Sequence, residues 1–230
     1  MEIGSLYIVA TPIGNLQDIT LRALETLKNV DIVLCEDTRL TGKLLNHFKI
    51  KKPLRLLNDF NEETVSYQVL DLLVDGKQIA LVSDAGTPLI SDPGFRLVRL
   101  AREHSITVIP IPGPTSVISA LSASGFPSDS FLFIGFLPKG ANKKTRLFNN
   151  LKTTYKSQDL CPTLIFFESP YRLVETLQLM LKELGDIEVV LARELTKIHE
   201  EFIQKPLSIL VTDFEKKKPK GEFVVLLSLK

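Results

Sequence analysis

The sequence predicts an α/β protein of two domains, with a mainly parallel sheet in the first domain and a mixed sheet in the second. Short, continuous apolar runs rich in β-branched residues alternate with segments of helical period, which is the pattern of βαβ units. The turn-rich segment Ser124–Ser128 separates two such series. It therefore predicts a boundary between domains at 1–125 and 126–230.

The first series contains four apolar runs that read as buried parallel strands. Between them, apolar residues three and four apart predict helices, and a helix of small residues begins near Thr115, whose hydroxyl suits an N-cap. The predicted strands are Leu6–Ala10, Asp31–Cys35, Ile79–Val82 and Thr107–Ile111, and the helices lie around Leu24, Leu45, Val69 and 97–104.

The second series repeats the alternation with strands that suit a mixture of parallel and antiparallel pairs. The chain ends within the last of these strands, which we expect to be structural. The predicted strands are Phe131–Phe136, Thr163–Phe167, Val189–Ala192 and Phe223–Leu229, and the helices lie around Leu147, Leu173–Leu184 and Leu207–Phe214.

Composition excludes several classes of protein. The chain has 230 residues, a formal charge of +1 and 44% hydrophobic residues, so any nucleic-acid partner must be held by a local basic patch. No apolar run reaches the ~20 residues of a membrane span and no signal peptide is evident, which predicts a cytoplasmic protein. Cys35 and Cys161 lie in or beside apolar runs, where thiols usually pack as small hydrophobes.

Four polar loops follow strands of the first series, where α/β proteins place ligands. The third is longer than the usual connection of about 2–6 residues, which favours a functional role. The alternatives are capped strand-to-helix turns and, for the third, a surface Ω-loop. The loops are 11–18, 35–39, 83–94 and 112–116.

Several common chemistries lack their motifs. No glycine-rich loop ends in Gly-Lys-Ser/Thr and no Gly-x-Gly-x-x-Gly follows a strand, which disfavours nucleotide triphosphatases and dinucleotide-binding enzymes. His47, His104 and His199 are scattered and show no metal-ligand spacing, so no metal site is predicted.

Six motifs carry a resemblance over nearly the whole chain. They are Thr11-Pro12-Ile13-Gly14-Asn15-Leu16, Cys35-Glu36-Asp37-Thr38-Arg39, Ser83-Asp84-Ala85-Gly86-Thr87-Pro88, Gly135-Phe136-Leu137-Pro138, Glu168-Ser169-Pro170-Tyr171-Arg172 and Ala192-Arg193-Glu194-Leu195-Thr196-Lys197. With them the sequence resembles the tetrapyrrole methylase-like superfamily and, within it, the ribosomal RNA small subunit methyltransferase I family. The resemblance implies a two-domain class III methyltransferase fold, a homodimer, and S-adenosylmethionine bound between the domains.

Carried over by motif, the resemblance also implies the cofactor-binding positions. The superfamily's Gly-Gly-Asp pattern reads Val82-Ser83-Asp84 here, so the sequence matches the pattern at Asp84 but departs from it at Ser83. The implied residues are Pro12, Asp84, Thr87, Thr115, Ser116, Glu168 and Leu195.

Methyl transfer from a sulfonium depends mainly on positioning, but a carboxylate base and a cation near the acceptor oxygen would help. Glu36, Asp37 and Glu194 are candidates for the base, and Lys197 or Arg39 for the cation. Alternatively, Glu36 and Asp37 merely pair with Arg39 or cap the following helix.

A stretch from Lys139 to Lys156 carries six basic residues without an acid and predicts a phosphate-binding patch, or simply a solvated helix. The candidate RNA-binding residues are Arg39, Lys143, Lys144, Arg146, Arg172 and Arg193. The predicted partner is small-subunit ribosomal RNA or the assembled subunit.

The predicted function is S-adenosylmethionine-dependent 2′-O-methylation of a ribose, by resemblance that of a cytidine, in small-subunit ribosomal RNA. Two alternatives remain open. One is a tetrapyrrole or corrin-precursor C-methyltransferase, which the charged motifs disfavour, and the other is a ribosome-associated binding protein without catalysis.

Overall fold

A computed structural model describes residues 3–155 and 161–228. Within these residues, ten strands and eight α-helices form two compact units, one ending at Thr115 and the other beginning at Ser116. In the described residues, no helix is long and apolar enough to cross a membrane.

The first unit is built on a five-stranded sheet in the order β3-β2-β4-β1-β5, with every neighbouring pair parallel. This confirms the predicted parallel sheet. Its elements are β1 (Ser5–Val9), α1 (Leu21–Asn29), β2 (Ile32–Cys35), α2 (Thr38–His47), β3 (Leu54–Leu56), α3 (Glu62–Val74), β4 (Ile79–Leu81), α4 (Phe95–Glu103) and β5 (Thr107–Ile111).

Both faces of this sheet are covered, which explains why its central strands are continuously apolar. Leu6 and Ile79 belong to one buried cluster with residues of α3 and α4, whereas Val9 and Val33 belong to another with residues of α1 and α2. The strands thus have little freedom to shift, and the loops at their carboxyl ends start from a rigid edge.

Side chains define where the helices of this unit begin. The Thr20 hydroxyl accepts a hydrogen bond from the Ala23 amide at 3.1 Å and caps α1. The buried carboxylate of Glu62 accepts from the amides of Gly94, at 3.0 Å, and Arg96, at 2.8 Å, at the start of α4. Such contacts satisfy amides that the helix itself leaves unpaired.

The second unit has a mixed sheet in the order β6-β7-β10-β8-β9, in which β6 and β7 are parallel and the other pairs antiparallel. This confirms the predicted mixed sheet. Its elements are α5 (Ser116–Ala123), β6 (Phe131–Phe136), α6 (Ala141–Tyr155), β7 (Thr163–Glu168), α7 (Leu173–Leu184), β8 (Glu188–Arg193), β9 (Glu201–Pro206), α8 (Leu207–Lys216) and β10 (Phe223–Ser228).

Helix α5 contacts β7 and β10, so it belongs to the second unit. The division between units therefore falls ten residues before the boundary expected after residue 125. The core of this unit packs α6, α7 and α8 around Phe166, Leu191 and Val225. The final strand was predicted to reach Leu229, which lies outside the described residues.

Two strands, β3 and β9, were not predicted. Both are edge strands, and most of their residues are exposed or only partly buried. Strand β3 has three residues with Arg55 at its centre, and β9 ends in Lys205 and Pro206. A short or polar edge strand lacks the apolar pattern by which strands are recognised, because it buries little.

Candidate functional site

The first and third strand-end loops of the first unit are joined by hydrogen bonds. The Thr11 amide donates to the Gly86 carbonyl at 2.9 Å, and the Gly86 amide donates to the Thr11 carbonyl at 3.0 Å. The buried Thr11 hydroxyl also donates to the Ser83 carbonyl at 3.1 Å. These contacts bring the buried Pro12 and the segment that bears Asp84 to the same edge of the sheet.

The fourth loop of this unit joins the third. The Thr87 hydroxyl donates to the Pro114 carbonyl at 3.2 Å, next to the half-buried Thr115. A Cβ at Gly113 would lie 3.1 Å from the Ala10 Cβ, and Gly86 has φ +88 with Ile13 close by. Glycines therefore let the backbones approach closely here, where side chains would separate the loops.

The second loop is held to the third through Asp84. The Asp37 amide donates to the Asp84 carboxylate at 3.1 Å. Partial burial, followed by the nearby carboxylate of Asp37, raises the pKa of Asp84. Partial burial and then the charges of Asp84 and Asp92 raise the pKa of Glu36. Four loops thus converge at one edge of the sheet, which carries several carboxylates.

Asp92 belongs to this group of carboxylates, although sequence reasoning assigned it no role. Partial burial, followed by the charges of Asp84 and Asp59, raises its pKa to about 6, while a hydrogen bond with Ser83 acts in the opposite direction. The loop turns back through Leu89 and Ser91, which have φ values of 72 and 68. Left-handed conformations at non-glycine residues are costly and often mark functional loops.

Asp37 has the geometry of a helix cap and ion-pair partner, as the alternative interpretation expected. Its carboxylate accepts from the Arg39 amide at 2.8 Å and pairs with the Arg39 guanidinium at 2.6 Å. These bonds lower the pKa of Asp37 to about 2. Asp37 is therefore a weaker base than Glu36, whose pKa is raised by burial and by neighbouring carboxylates.

In the second unit, the loop after β8 builds a cluster of charged residues. The Glu194 carboxylate accepts from the Lys197 ammonium at 3.0 Å and from the Glu222 amide at 2.9 Å. The Lys197 ammonium also pairs with the Glu222 carboxylate at 3.0 Å. The hydrogen bond from Lys197 lowers the pKa of Glu194. Partial burial disfavours the charge on Lys197, but its two hydrogen bonds outweigh that effect and raise its pKa.

Glu168 lies at the centre of a buried network in the second unit. Its carboxylate accepts from the Ser169 amide at 2.8 Å, from the Thr176 hydroxyl at 2.7 Å, and from the Arg172 guanidinium at 2.6 Å. The Lys144 ammonium donates to Thr176 at 3.0 Å. The Glu168 side chain is therefore engaged in structural contacts, so a cofactor would meet its backbone more readily than its carboxylate.

The prediction that Lys144 contacts RNA is wrong. Its side chain is completely buried, and its ammonium bonds to Thr176 and, at 3.3 Å, to Glu175. Arg172 is mostly enclosed as well, and it also donates to the Leu137 carbonyl at 3.1 Å.

The other basic candidates differ in exposure. Arg193 donates to the Lys220 carbonyl at 2.6 Å, so it stabilises the fold locally. Lys143 and Arg146 are exposed on α6, and Arg39 is exposed beside Asp37. Lys156 lies outside the described residues.

The remaining predicted cofactor residues occupy separate places in the second unit. Ser116 is the half-buried first residue of α5, and Leu195 is buried between Glu194 and Thr196, whose φ values are 49 and 64. The backbone on either side of Leu195 thus adopts a left-handed conformation, which non-glycine residues seldom adopt.

Fold and loops define the class of the protein, and comparison with known proteins agrees. A family model described as Tetrapyrrole (Corrin/Porphyrin) Methylases matches residues 5–210, so the chain belongs to the tetrapyrrole methylases. A solved structure, uroporphyrin-III-C-methyltransferase from Thermus thermophilus, covers 98% of this chain and 95% of its own, with TM-score 0.63 and 20% identity. This likeness supports the fold alone.

Curated relatives identify a narrower family within the tetrapyrrole methylases. A Thermotoga maritima protein named Ribosomal RNA small subunit methyltransferase I is 50% identical over 98% of both chains. A Vibrio cholerae protein of the same name is 52% identical over 96% of this chain and 76% of its own. Within the tetrapyrrole methylases, the chain therefore belongs to the ribosomal RNA small subunit methyltransferase I family, as its motifs predicted.

Proposed function

We propose that this protein transfers a methyl group from S-adenosylmethionine to the 2′-hydroxyl of a cytidine in small-subunit ribosomal RNA. The proposal rests on sequence identity. Over nearly its whole length, the chain shares about half of its residues with proteins named for methylation of that RNA. The joined strand-end loops of the first unit supply suitable chemistry. We also infer a homodimer in the cytoplasm, where small subunits are found.

The loops of the first unit fit the cofactor. S-adenosylmethionine carries a sulfonium, an ammonium and ribose hydroxyls, and carboxylates favour such cations. Asp84 and Thr87 offer polar groups beside close backbone approaches at Gly86 and Gly113. In this proposal the cofactor is bound by Pro12, Asp84, Thr87, Thr115, Ser116, Leu195 and the backbone at Glu168.

When bound, the cofactor supplies an activated methyl group, so the residues of the chain mainly hold the reactants and move one proton. Glu36 is the best candidate base, because its raised pKa lies closer to neutral pH than that of an ordinary carboxylate. Lys197 stays protonated and suits the stabilisation of negative charge on an oxygen. Glu194 positions Lys197, and Asp37 positions the second loop.

Basic side chains at the surface suit the RNA. Lys143 and Arg146 on α6, together with Arg39, are exposed and therefore remain candidates for contacts with phosphates.

The reaction is tested with small ribosomal subunits that lack the modification. Incubation with methyl-labelled S-adenosylmethionine, digestion of the RNA and chromatography should place the label in 2′-O-methylcytidine. Label on a base would contradict the proposed acceptor. Tight cofactor binding without any transfer to RNA would favour a different acceptor, such as a tetrapyrrole, and absence of cofactor binding would favour the non-catalytic alternative.

The role of Glu36 is tested by Glu36→Gln, with Asp37→Asn as the matched variant next to it. We expect Glu36→Gln to lower kcat by about 10²–10⁴-fold, the usual contribution of a positioned base. Asp37→Asn should lower kcat less than tenfold, because asparagine also caps helices. Titration with S-adenosylmethionine checks that both variants still bind the cofactor, so that their kcat values can be compared. Full turnover by Glu36→Gln would remove it as the base.

A further inference from the structure

The chain carries a second basic region, in the first unit. Between Asp37 and Asp59 the sequence contains six lysines and arginines and no acidic residue. The structure folds this stretch into α2, the following loop and β3. The second motif of the family ends at Arg39 and the third begins at Ser83, so most of the region lies outside the motifs.

The lysines of this region lie on α2 and on the loop that follows it, where Lys43, Lys49 and Lys51 are exposed and Lys52 is half-buried. Thr41 and Leu45 are buried on the inner side of α2, whereas Lys43 and His47, one turn apart, are exposed. The loop that follows adds Lys49, Lys51 and Lys52 beside a shallow groove. We call the group Lys43, His47, Lys49, Lys51 and Lys52 the α2–β3 surface.

The positive charge of the α2–β3 surface is not neutralised locally. Among the ion pairs of residues 3–155 and 161–228, none includes Lys43, Lys49, Lys51 or Lys52. By contrast, Lys144, Lys197 and Lys205 pair with carboxylates. Unpaired lysines are the groups that bind phosphates by releasing counterions.

We propose that the α2–β3 surface binds the phosphate backbone of the RNA substrate. The inference rests on the proposed function and extends it to a surface that the motifs do not mark. The strand-end loops carry Glu36, Asp84 and Asp92, which repel phosphates. Because the net charge is only +1, the RNA must be held by a basic surface away from those carboxylates.

The position of α2 gives this surface access to the candidate base. Helix α2 begins two residues after Glu36 and has ten residues, which corresponds to a length of about 15 Å. An RNA strand bound along α2 thus extends from the loop after the helix toward the strand end that bears Glu36. The lysines anchor the strand and do not touch the reacting atoms.

The test compares two triple variants with the same change of charge. Lys49→Gln, Lys51→Gln and Lys52→Gln remove three charges from the α2–β3 surface. Lys216→Gln, Lys217→Gln and Lys218→Gln remove three exposed charges at the end of α8 and in the turn after it. Each protein is titrated with a transcript of small-subunit ribosomal RNA at several KCl concentrations, and its affinity for S-adenosylmethionine is measured as a control of folding.

We expect the first triple variant to bind the transcript about 10- to 100-fold more weakly near 0.1 M KCl. Its slope of log K against log salt should be smaller by about 2, since each phosphate contact contributes about 0.7 for a single strand. Its KM for RNA should rise while kcat stays within about twofold. The second triple variant should resemble the wild type.

An unchanged salt slope and KM in the first variant would overturn the inference. Weaker binding to intact subunits with unchanged binding to the transcript would assign the surface to a ribosomal protein and also overturn it. Failure of the proposed function is distinguishable, because the wild-type protein would then transfer no methyl group to RNA.

Discussion

At the scale of single residues, Glu36, Asp84 and Asp92 share an unusual environment. Each carboxylate is partly removed from water, and neighbouring carboxylates add to the rise in its pKa. Such groups disfavour their own ionisation at neutral pH, which reduces stability. Sites that bind cations or transfer protons commonly retain groups of this kind.

Asp92→Asn should stabilise the protein at neutral pH. The folded-state pKa of Asp92, about 6, exceeds the ordinary value of 3.8, so the folded state holds this proton more tightly than the unfolded state. Stability from this group is present below pH 4 and is lost as the pH rises through 6. Asparagine keeps the neutral form, so we expect a gain of about 1 kcal/mol at pH 7 after allowance for partial solvent exposure.

Urea denaturation at pH 4 and pH 7 measures this effect, with Asp71→Asn on the exposed surface of α3 as the matched control. The gain of Asp92→Asn should appear at pH 7 and vanish at pH 4, whereas the control should change little. Equal effects of Asp92→Asn at both pH values would contradict the raised pKa.

Single residues also show where prediction from sequence stops. Glu36 was found because it directly follows an apolar strand, and Asp84 because its motif resembles that of the superfamily. Asp92 was missed because the left-handed turns at Leu89 and Ser91 that bring it back cannot be read from composition. Lys144 was misassigned because its partner Thr176 lies 32 residues away.

At the scale of elements, the loop after β8 is held by the turn before β10. The Glu194 amide donates to the Glu222 carbonyl at 3.0 Å, which continues the β8–β10 pairing by one residue. Gly221, with φ +95, lies directly beneath the Glu194 side chain. The two segments are 27 residues apart in sequence, so local pattern predicted each strand but not their joint role.

Gly221→Ala should displace the Glu194 carboxylate. A Cβ at this position would lie 2.6–2.8 Å from the Glu194 side chain, and alanine is also strained at positive φ. Gly185→Ala is the matched control, because Gly185 has φ +90 and nothing within 4 Å of a Cβ. Both variants should lose about 1–2 kcal/mol of stability.

Methyl transfer per folded molecule distinguishes the two glycine variants. We expect a loss of about tenfold or more for Gly221→Ala, because Lys197 loses the position that Glu194 gives it. Gly185→Ala should turn over normally. Equal activity of both variants would show that contacts among Glu194, Lys197 and Glu222 serve only the fold.

At the scale of the whole molecule, the sequence predicted two α/β units, with a mainly parallel sheet in the first and a mixed sheet in the second, but not which strands of the second sheet pair in which direction. Long apolar strands such as β7 and β10 were recognisable because they are buried, whereas polar edge strands such as β9 were not. The net charge of +1 does not show how charge is distributed within the first unit. Its strand ends carry carboxylates, whereas the α2–β3 surface carries lysines. Only the folded chain separates these charges.

This separation predicts how pH affects the cofactor. A sulfonium favours ionised carboxylates, so binding of S-adenosylmethionine should release a proton from Asp92, and its affinity should rise with pH through about 6. S-adenosylhomocysteine lacks that charge and otherwise presents the same groups. The ratio of the two affinities therefore isolates the effect of the cation on the site.

Calorimetric titration of both ligands between pH 5 and 7.5 measures this ratio. We expect the preference for S-adenosylmethionine to fall severalfold toward pH 5, because protonated carboxylates no longer attract the sulfonium. Asp92→Asn should flatten part of the dependence, whereas Asp71→Asn should leave it intact. Parallel pH curves for the two ligands would mean that the sulfonium binds away from these carboxylates, and the strand-end loops would then lose their assigned role in recognising the cofactor's charge.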